Sequence, residues 1–195
     1  MAEQPRSAAI SAARAVVLVE GLSDQAAVEA LAGRRGRDLR GERVAVVPMG
    51  GAKSIRRYLE QFGPRGRGLR VAGLCDAREE RDFRRGLERA GFGAELTRDD
   101  MESLGFFVCV ADLEDELIRA LGAPVVEKLL AAQGEIGSFR TFQKQAAQRE
   151  RTSEGQLRRF LGTRSGRKIR YGRLLVDALD LMQVPRPLDG VLAHV

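Results

Sequence analysis

Residues 15–24 read AVVLVEGLSD, and this stretch decides the architecture. Five apolar residues, Ala15 to Val19, stand between Arg14 and the Glu20-Gly21 turn. An unbroken apolar run of that length, with no polar alternation, predicts a strand buried on both faces, as parallel sheets require. The helical segment 24–33 follows it.

Working outward, the same grammar recurs. Residues 43–48 (RVAVVP) repeat the buried-strand signature, and Gly50-Gly51 leads into 52–62 (AKSIRRYLEQF), with Ile55, Leu59 and Phe62 on one helical face. A third strand is expected at 70–75 (RVAGLC) before a charged helix at 77–90, and a fourth at 105–111 (GFFVCVA) before a helix at 113–121. Alternating β and α elements predict an α/β fold, a parallel sheet of about four strands flanked by helices with right-handed crossovers.

After Pro124 the β signals stop. Helices are expected at 124–133, 138–150, 154–162 and 170–182, with Pro185 and Pro187 ending the last one and LDGVLAHV closing the chain. The expected organisation is a flexible N-terminus over 1–13, an α/β domain over 14–122 and a basic helical C-terminal extension over 123–195.

Composition narrows the chemistry. Of 195 residues, 44% are hydrophobic and 31% charged, enough apolar material for a core and too balanced for disorder. No apolar run approaches the ~20 residues of a membrane span, and residues 1–14 lack the apolar centre of a secretory signal, so a cytoplasmic protein with no membrane association is expected. Cys75 and Cys109 lie in strand-like apolar runs and read as buried free thiols. The single histidine, His194, leaves histidine-based zinc sites and Ser–His–Asp triads without their parts. Any chemistry must run on carboxylates, lysine or arginine.

The basic charge is concentrated. Residues 140–173 hold eleven Lys and Arg against two acids, while 1–139 are nearly balanced. Such a block attracts a polyanion, nucleic acid above all. Arg158, Arg159, Arg164, Arg167, Lys168 and Arg170 are the residues expected to hold its phosphates. They have few aromatic neighbours and no reading-helix motif, which predicts backbone contact without sequence readout.

In an open parallel sheet, ligands bind beyond the carboxyl ends of the strands. Here those ends are acidic: Glu20 and Asp24 after strand one, Asp76 after strand three, and Asp112, Glu114, Asp115 and Glu116 after strand four. Carboxylates crowded on one edge repel one another, and a hard divalent cation, Mg²⁺ or Mn²⁺, relieves the repulsion.

The segments VLVEGLSDQAAVEAL, VVPMGGAKSIRRYL and VAGLCDA, with the later LEDEL, resemble the Toprim domain of topoisomerases, DnaG-type primases and OLD-family nucleases, the OLD version most closely. The resemblance covers about residues 14–120 and implies a Rossmann-like Toprim sheet. It implies metal ligands at Glu20, Asp24, Asp76, Glu114 and Glu116, with Asp112 and Asp115 as alternatives in the last group. It further implies that Glu20 takes part in catalysis and that Lys168 is the lysine assisting the chemistry. Two departures stand out. Arg78 occupies the second acid position of the usual Asp-x-Asp, and no Gly-x-x-x-x-Gly-Lys-[Ser/Thr] of an ATPase is present. Gly50-Gly51-Ala52-Lys53-Ser54 lacks the spacing of a phosphate loop and reads as a tight turn.

The function expected from this reading is metal-dependent hydrolysis of DNA phosphodiesters by a freestanding OLD-like Toprim nuclease with one or two Mg²⁺ ions. The alternative is a non-catalytic nucleic-acid-binding module, or a subunit docking on a separate ATPase. The resemblance also suggests a homodimer. Tyrosine-based strand transfer is disfavoured, because Tyr58 and Tyr171 both fall in expected helices.

Overall fold

The computed structural model describes residues 10–195. Residues 1–9, most of the expected flexible N-terminus, lie outside the described residues. Four strands form one all-parallel sheet: β1 (Ala15–Val19), β2 (Val44–Pro48), β3 (Arg70–Asp76) and β4 (Phe106–Cys109), in the spatial order β2-β1-β3-β4. Val17 pairs with Val46 on one side and Ala72 on the other, so β1 is central.

Alternation along each strand divides the core in two. Ala15, Val17 and Val19 of β1, with Val46, Leu74 and Cys109, pack on one face of the sheet. Val16 and Leu18, with Ala45, Val47, Cys75 and Val108, pack on the other. The period-2 geometry of a strand thus puts the two cysteines on opposite faces, both buried and free.

The second face is covered by α2 (Ile55–Phe62), α3 (Glu80–Ala90) and α4 (Arg98–Ser103), through Ile55, Leu59, Phe83, Leu87 and Met101. Helix α4 is absent from the sequence reading. Thr97 caps it, exchanging hydrogen bonds with Asp100 in a capping box.

The first face is covered by α1 (Leu22–Arg34) and by the C-terminal part of the chain: α5 (Leu113–Leu121), α6 (Ala123–Ala132), α7 (Ile136–Gln143), α8 (Ser153–Leu161), α9 (Ser165–Ala178) and α10 (Arg186–Ala193). Leu157, Phe160, Leu175 and Val191 share one core with Val17 and Val28. The extension over 123–195 is therefore packed as a layer of the fold. None of the helices among the described residues is long and apolar enough to cross a membrane.

Three expectations about the extension are corrected, the first being the helix expected at 138–150, which runs over Ile136–Gln143. The helix expected at 170–182 runs over 165–178, so the basic Gly-Arg-Lys segment lies in its first turn. The prolines expected to end the last helix instead start one: Pro185 is the N-cap of α10 and Pro187 lies in its first turn, where a missing N–H leaves no bond unmade.

Helix α9 lies directly against α1. A Cβ on Gly172 would fall inside the van der Waals shell of the Ser23 carbonyl oxygen, so only glycine permits this approach.

Candidate metal centre at the switch point

The chain leaves β1 to one side through α1 and returns across it to β3, so the strand order reverses between β1 and β3. Crevices at such a reversal are the natural ligand sites of open α/β sheets. Glu20 follows β1 and Asp76 ends β3, which places both at this point.

A third acid joins them. The backbone turns immediately after Asp76, with the Glu79 N–H donating to the Asp76 carbonyl at 2.9 Å. One turn of helix-like backbone brings residue i+3 back beside residue i and sends residue i+2 outward. Glu79 thus faces Asp76, and the Arg78 side chain is 77% exposed, with Nη2 3.8 Å from Asp76 Oδ2. Ligand oxygens of Glu20, Asp76 and Glu79 all lie within 4.8 Å of one another. Glu79 Oε2 is buried without a hydrogen-bond partner.

Their charges are poorly compensated. Burial, then the neighbouring Glu20, Asp112 and Glu79, push the Asp76 carboxyl up to about 7, and burial with Glu79 raises Glu20. The backbone around Glu20 is fixed from the β2 side, where Gly50 and Gly51 both donate N–H to the Glu20 carbonyl at 3.1 and 3.2 Å. Both glycines have positive φ, as this turn demands.

A second carboxylate group lies toward α1 and α5. Asp24 is buried, and its Oδ2 accepts the Gly21 N–H at 2.9 Å. Burial and the nearby Glu114 push its carboxyl up to about 7. Glu114, in the first turn of α5, is 4% exposed, and its Oε2 lies 3.2 Å from Lys168 Nζ, ion-paired but off the hydrogen-bonding angle. Burial works against the Lys168 ammonium, but Glu114 and Asp24 outweigh it and raise its pKa. Asp112 caps α5 by accepting the Asp115 N–H at 2.8 Å and pairs with Arg158 of α8 at 2.6 Å.

Glu116 is used elsewhere: it accepts the Val110 N–H at 2.8 Å and pairs with Arg119 at 3.0 Å, holding the loop from β4 to α5. Asp115 pairs with Arg119 as well.

The six cations expected to face phosphate divide sharply. Arg167 is buried, its guanidinium 4.0 Å over the Phe160 ring, donating to the Phe160 carbonyl and Thr163 Oγ1 and paired with Glu135. Arg170 shares Glu135 at 3.0 Å. Arg158 and Lys168 face Asp112 and Glu114 as described. Arg159 and Arg164 are exposed, and neither forms an ion pair among the described residues.

Of the acids expected from the sequence, the structure places Glu20 and Asp76 together and Asp24 and Glu114 in a neighbouring group, and it brings in Glu79, which the sequence analysis did not propose as a partner of Asp76. The signal was available in the spacing of Asp76-Ala77-Arg78-Glu79, read as one turn and not as an extended Asp-x-Asp.

By its fold and this crevice, the molecule is an open parallel α/β protein with a carboxylate-lined switch point. Residues 13–77 match the family described as Overcoming lysogenization defect protein-like, TOPRIM domain. The C-terminal region of the Xanthomonas campestris pv. campestris OLD protein superposes with a TM-score of 0.76 at 23% identity, covering 96% of this chain and 94% of that one. The C-terminal region of the Burkholderia pseudomallei OLD protein does so with a TM-score of 0.71 at 20% identity, over 93% of this chain and 96% of that one. A search of curated proteins finds no match to the sequence. The chain thus carries the Toprim fold, in the form seen in OLD C-terminal regions, extension included.

Proposed function

We propose that this protein hydrolyses phosphodiester bonds in nucleic acid, DNA foremost, with a divalent cation, Mg²⁺ or Mn²⁺, held by Glu20, Asp76 and Glu79. The observation that carries the reading is the convergence of these three carboxylates at the switch point, with one buried oxygen left unpartnered. The donor set suits a hard cation: all oxygen, anionic, and raised in pKa at Glu20 and Asp76 by burial and mutual repulsion that a cation would relieve. When bound, such a cation supplies Lewis acidity to a phosphoryl oxygen.

The chain's own residues supply the remainder. Glu20 and Asp76, fixed at the ends of adjacent parallel strands, set the position of the reacting phosphate relative to the sheet edge. Lys168, partly exposed beside Glu114, places a positive charge where charge develops on the phosphate. Arg159 and Arg164 hold the polyanion by its backbone, without reading bases.

Arg78 favours a second reading, because its guanidinium lies beside Asp76 and competes with a cation there. In that reading the chain is a non-catalytic nucleic-acid-binding module, or a subunit acting with a separate ATPase or as a homodimer.

Incubation of the purified chain with supercoiled plasmid in Mg²⁺, Mn²⁺ or EDTA, beside a Glu20→Ala protein from the same preparation, separates the two. The nuclease reading expects nicking that requires metal and vanishes in Glu20→Ala. Equal inertness of both proteins, with DNA still retarded on a gel, overturns it in favour of the binding module.

A further inference from the structure

We propose that Lys168 is the built-in cation of the second carboxylate group, so that the chain takes one divalent ion, at Glu20, Asp76 and Glu79, and not two. The inference rests on the metal reading above and adds to it the number of ions and the identity of the residue that limits it.

Asp24 and Glu114 are each nine-tenths or more buried and lie close enough to repel one another. Two buried carboxylates need a counter-charge. The structure provides it from within: Lys168 Nζ lies 3.2 Å from Glu114 Oε2. The remaining acid of this group, Asp112, is held by Arg158 at 2.6 Å while capping α5. The two basic side chains come from neighbouring helices of the extension, α8 and α9, Arg158 serving Asp112 and Lys168 serving the Asp24–Glu114 pair.

Packing delivers Lys168 to this position. Lys168 and Gly172 are four residues apart and so share a face of α9. Gly172 is pressed against the Ser23 carbonyl, and Ser23 precedes Asp24 in the first turn of α1. The close approach of the two helices therefore sets the Lys168 side chain against the Glu114 carboxylate, with Asp24 near enough to act on its charge. A divalent ion entering between those carboxylates would meet the ammonium at short range and be repelled. The first group is paired more loosely: the Arg78 guanidinium is solvent-exposed at 3.8 Å from Asp76, and Lys168 acts on Glu20 only from farther away than on Glu114.

The test is to count Mn²⁺ bound to the metal-stripped chain by calorimetry and by loss of the free-ion spin-resonance signal, without nucleic acid. The wild type is expected to bind one ion. Lys168→Met, which keeps an apolar stem and removes the charge, is expected to bind two, and Lys168→Met combined with Glu114→Gln is expected to return to one. A thermal melt of each variant confirms that it is folded before counting. Two ions on the wild type would overturn the inference and leave the nuclease reading standing. One ion on both wild type and Lys168→Met would overturn the role given to Lys168. No ion on the wild type would overturn both the metal reading and this inference.

Discussion

The two carboxylate groups at the sheet edge are built from the same residue types, a few residues from strand ends, yet they differ in depth and in what faces them. Glu20, Asp76 and Glu79 face one another, with the solvent-exposed Arg78 guanidinium beside them. Asp24, Asp112 and Glu114 face the extension, which brings Lys168 and Arg158 to them. Acid count alone therefore says little about cation binding. Which acids are already neutralised is decided by helices that lie more than 40 residues further along the chain, since Arg158 contacts Asp112 across 46 residues.

The largest effect that would break this comparison is on cleavage. Asp76→Asn is expected to lower metal-dependent nicking by roughly 10²–10³-fold, whereas Arg158→Met, in the neutralised group, should lower it by less than about ten-fold. Plasmid nicking rates at saturating Mg²⁺ check both. Equal losses would erase the distinction.

Stability against pH sharpens it next. Asp24 and Asp76 have folded-state pKa values of about 7 against 3.8 for the ordinary group. The folded protein thus binds protons more tightly than the unfolded chain. The resulting stabilisation is complete below the ordinary value and lost as pH rises through about 7. Thermal melts in EDTA should therefore fall in midpoint between about pH 4 and pH 7, by roughly 2–4 °C for each kcal/mol lost. Because these acids interact, they titrate as a group. Excess Mg²⁺ should flatten the part of the decline that belongs to Asp76, since the ion takes over from the proton there.

Gly172→Ala probes how the extension holds the second group. Its Cβ would collide with the Ser23 carbonyl, so separation of α9 from α1 should cost about 1–3 kcal/mol. Denaturant unfolding reads the cost, and a changed Mn²⁺ count would report that Lys168 has moved.

The smallest effects belong to the exposed cations. Arg159→Ala and Arg164→Ala should each weaken DNA binding a few-fold and reduce the slope of log affinity against log salt by about 1, without altering the melting midpoint. Arg167→Ala should do the reverse, costing stability through Phe160, Thr163 and Glu135.

The sheet was legible in the sequence because burial on both faces leaves an unmistakable apolar run, as in Ala15–Val19. The acids at Glu20 and Asp76 were legible because strand ends are where an open sheet binds ligands. Glu79 was not, since an extended Asp-x-Asp reading looks at residue 78, whereas the observed turn brings back residue 79. The pairing of Lys168 with Glu114 was hidden as well: composition shows a basic block, but only long-range packing around Gly172 reveals which of its charges face buried acids. Helix α10 was missed because two prolines were read as breakers where they begin a helix.

The comparison is tested most directly by Mn²⁺ titration of two matched variants, Glu79→Gln and Glu114→Gln, each removing one charge from one group. The account predicts that Glu79→Gln weakens Mn²⁺ binding by at least about ten-fold, one charged ligand being lost, while Glu114→Gln leaves the affinity close to that of the wild type. Equal weakening in both, or weakening in Glu114→Gln alone, would contradict it.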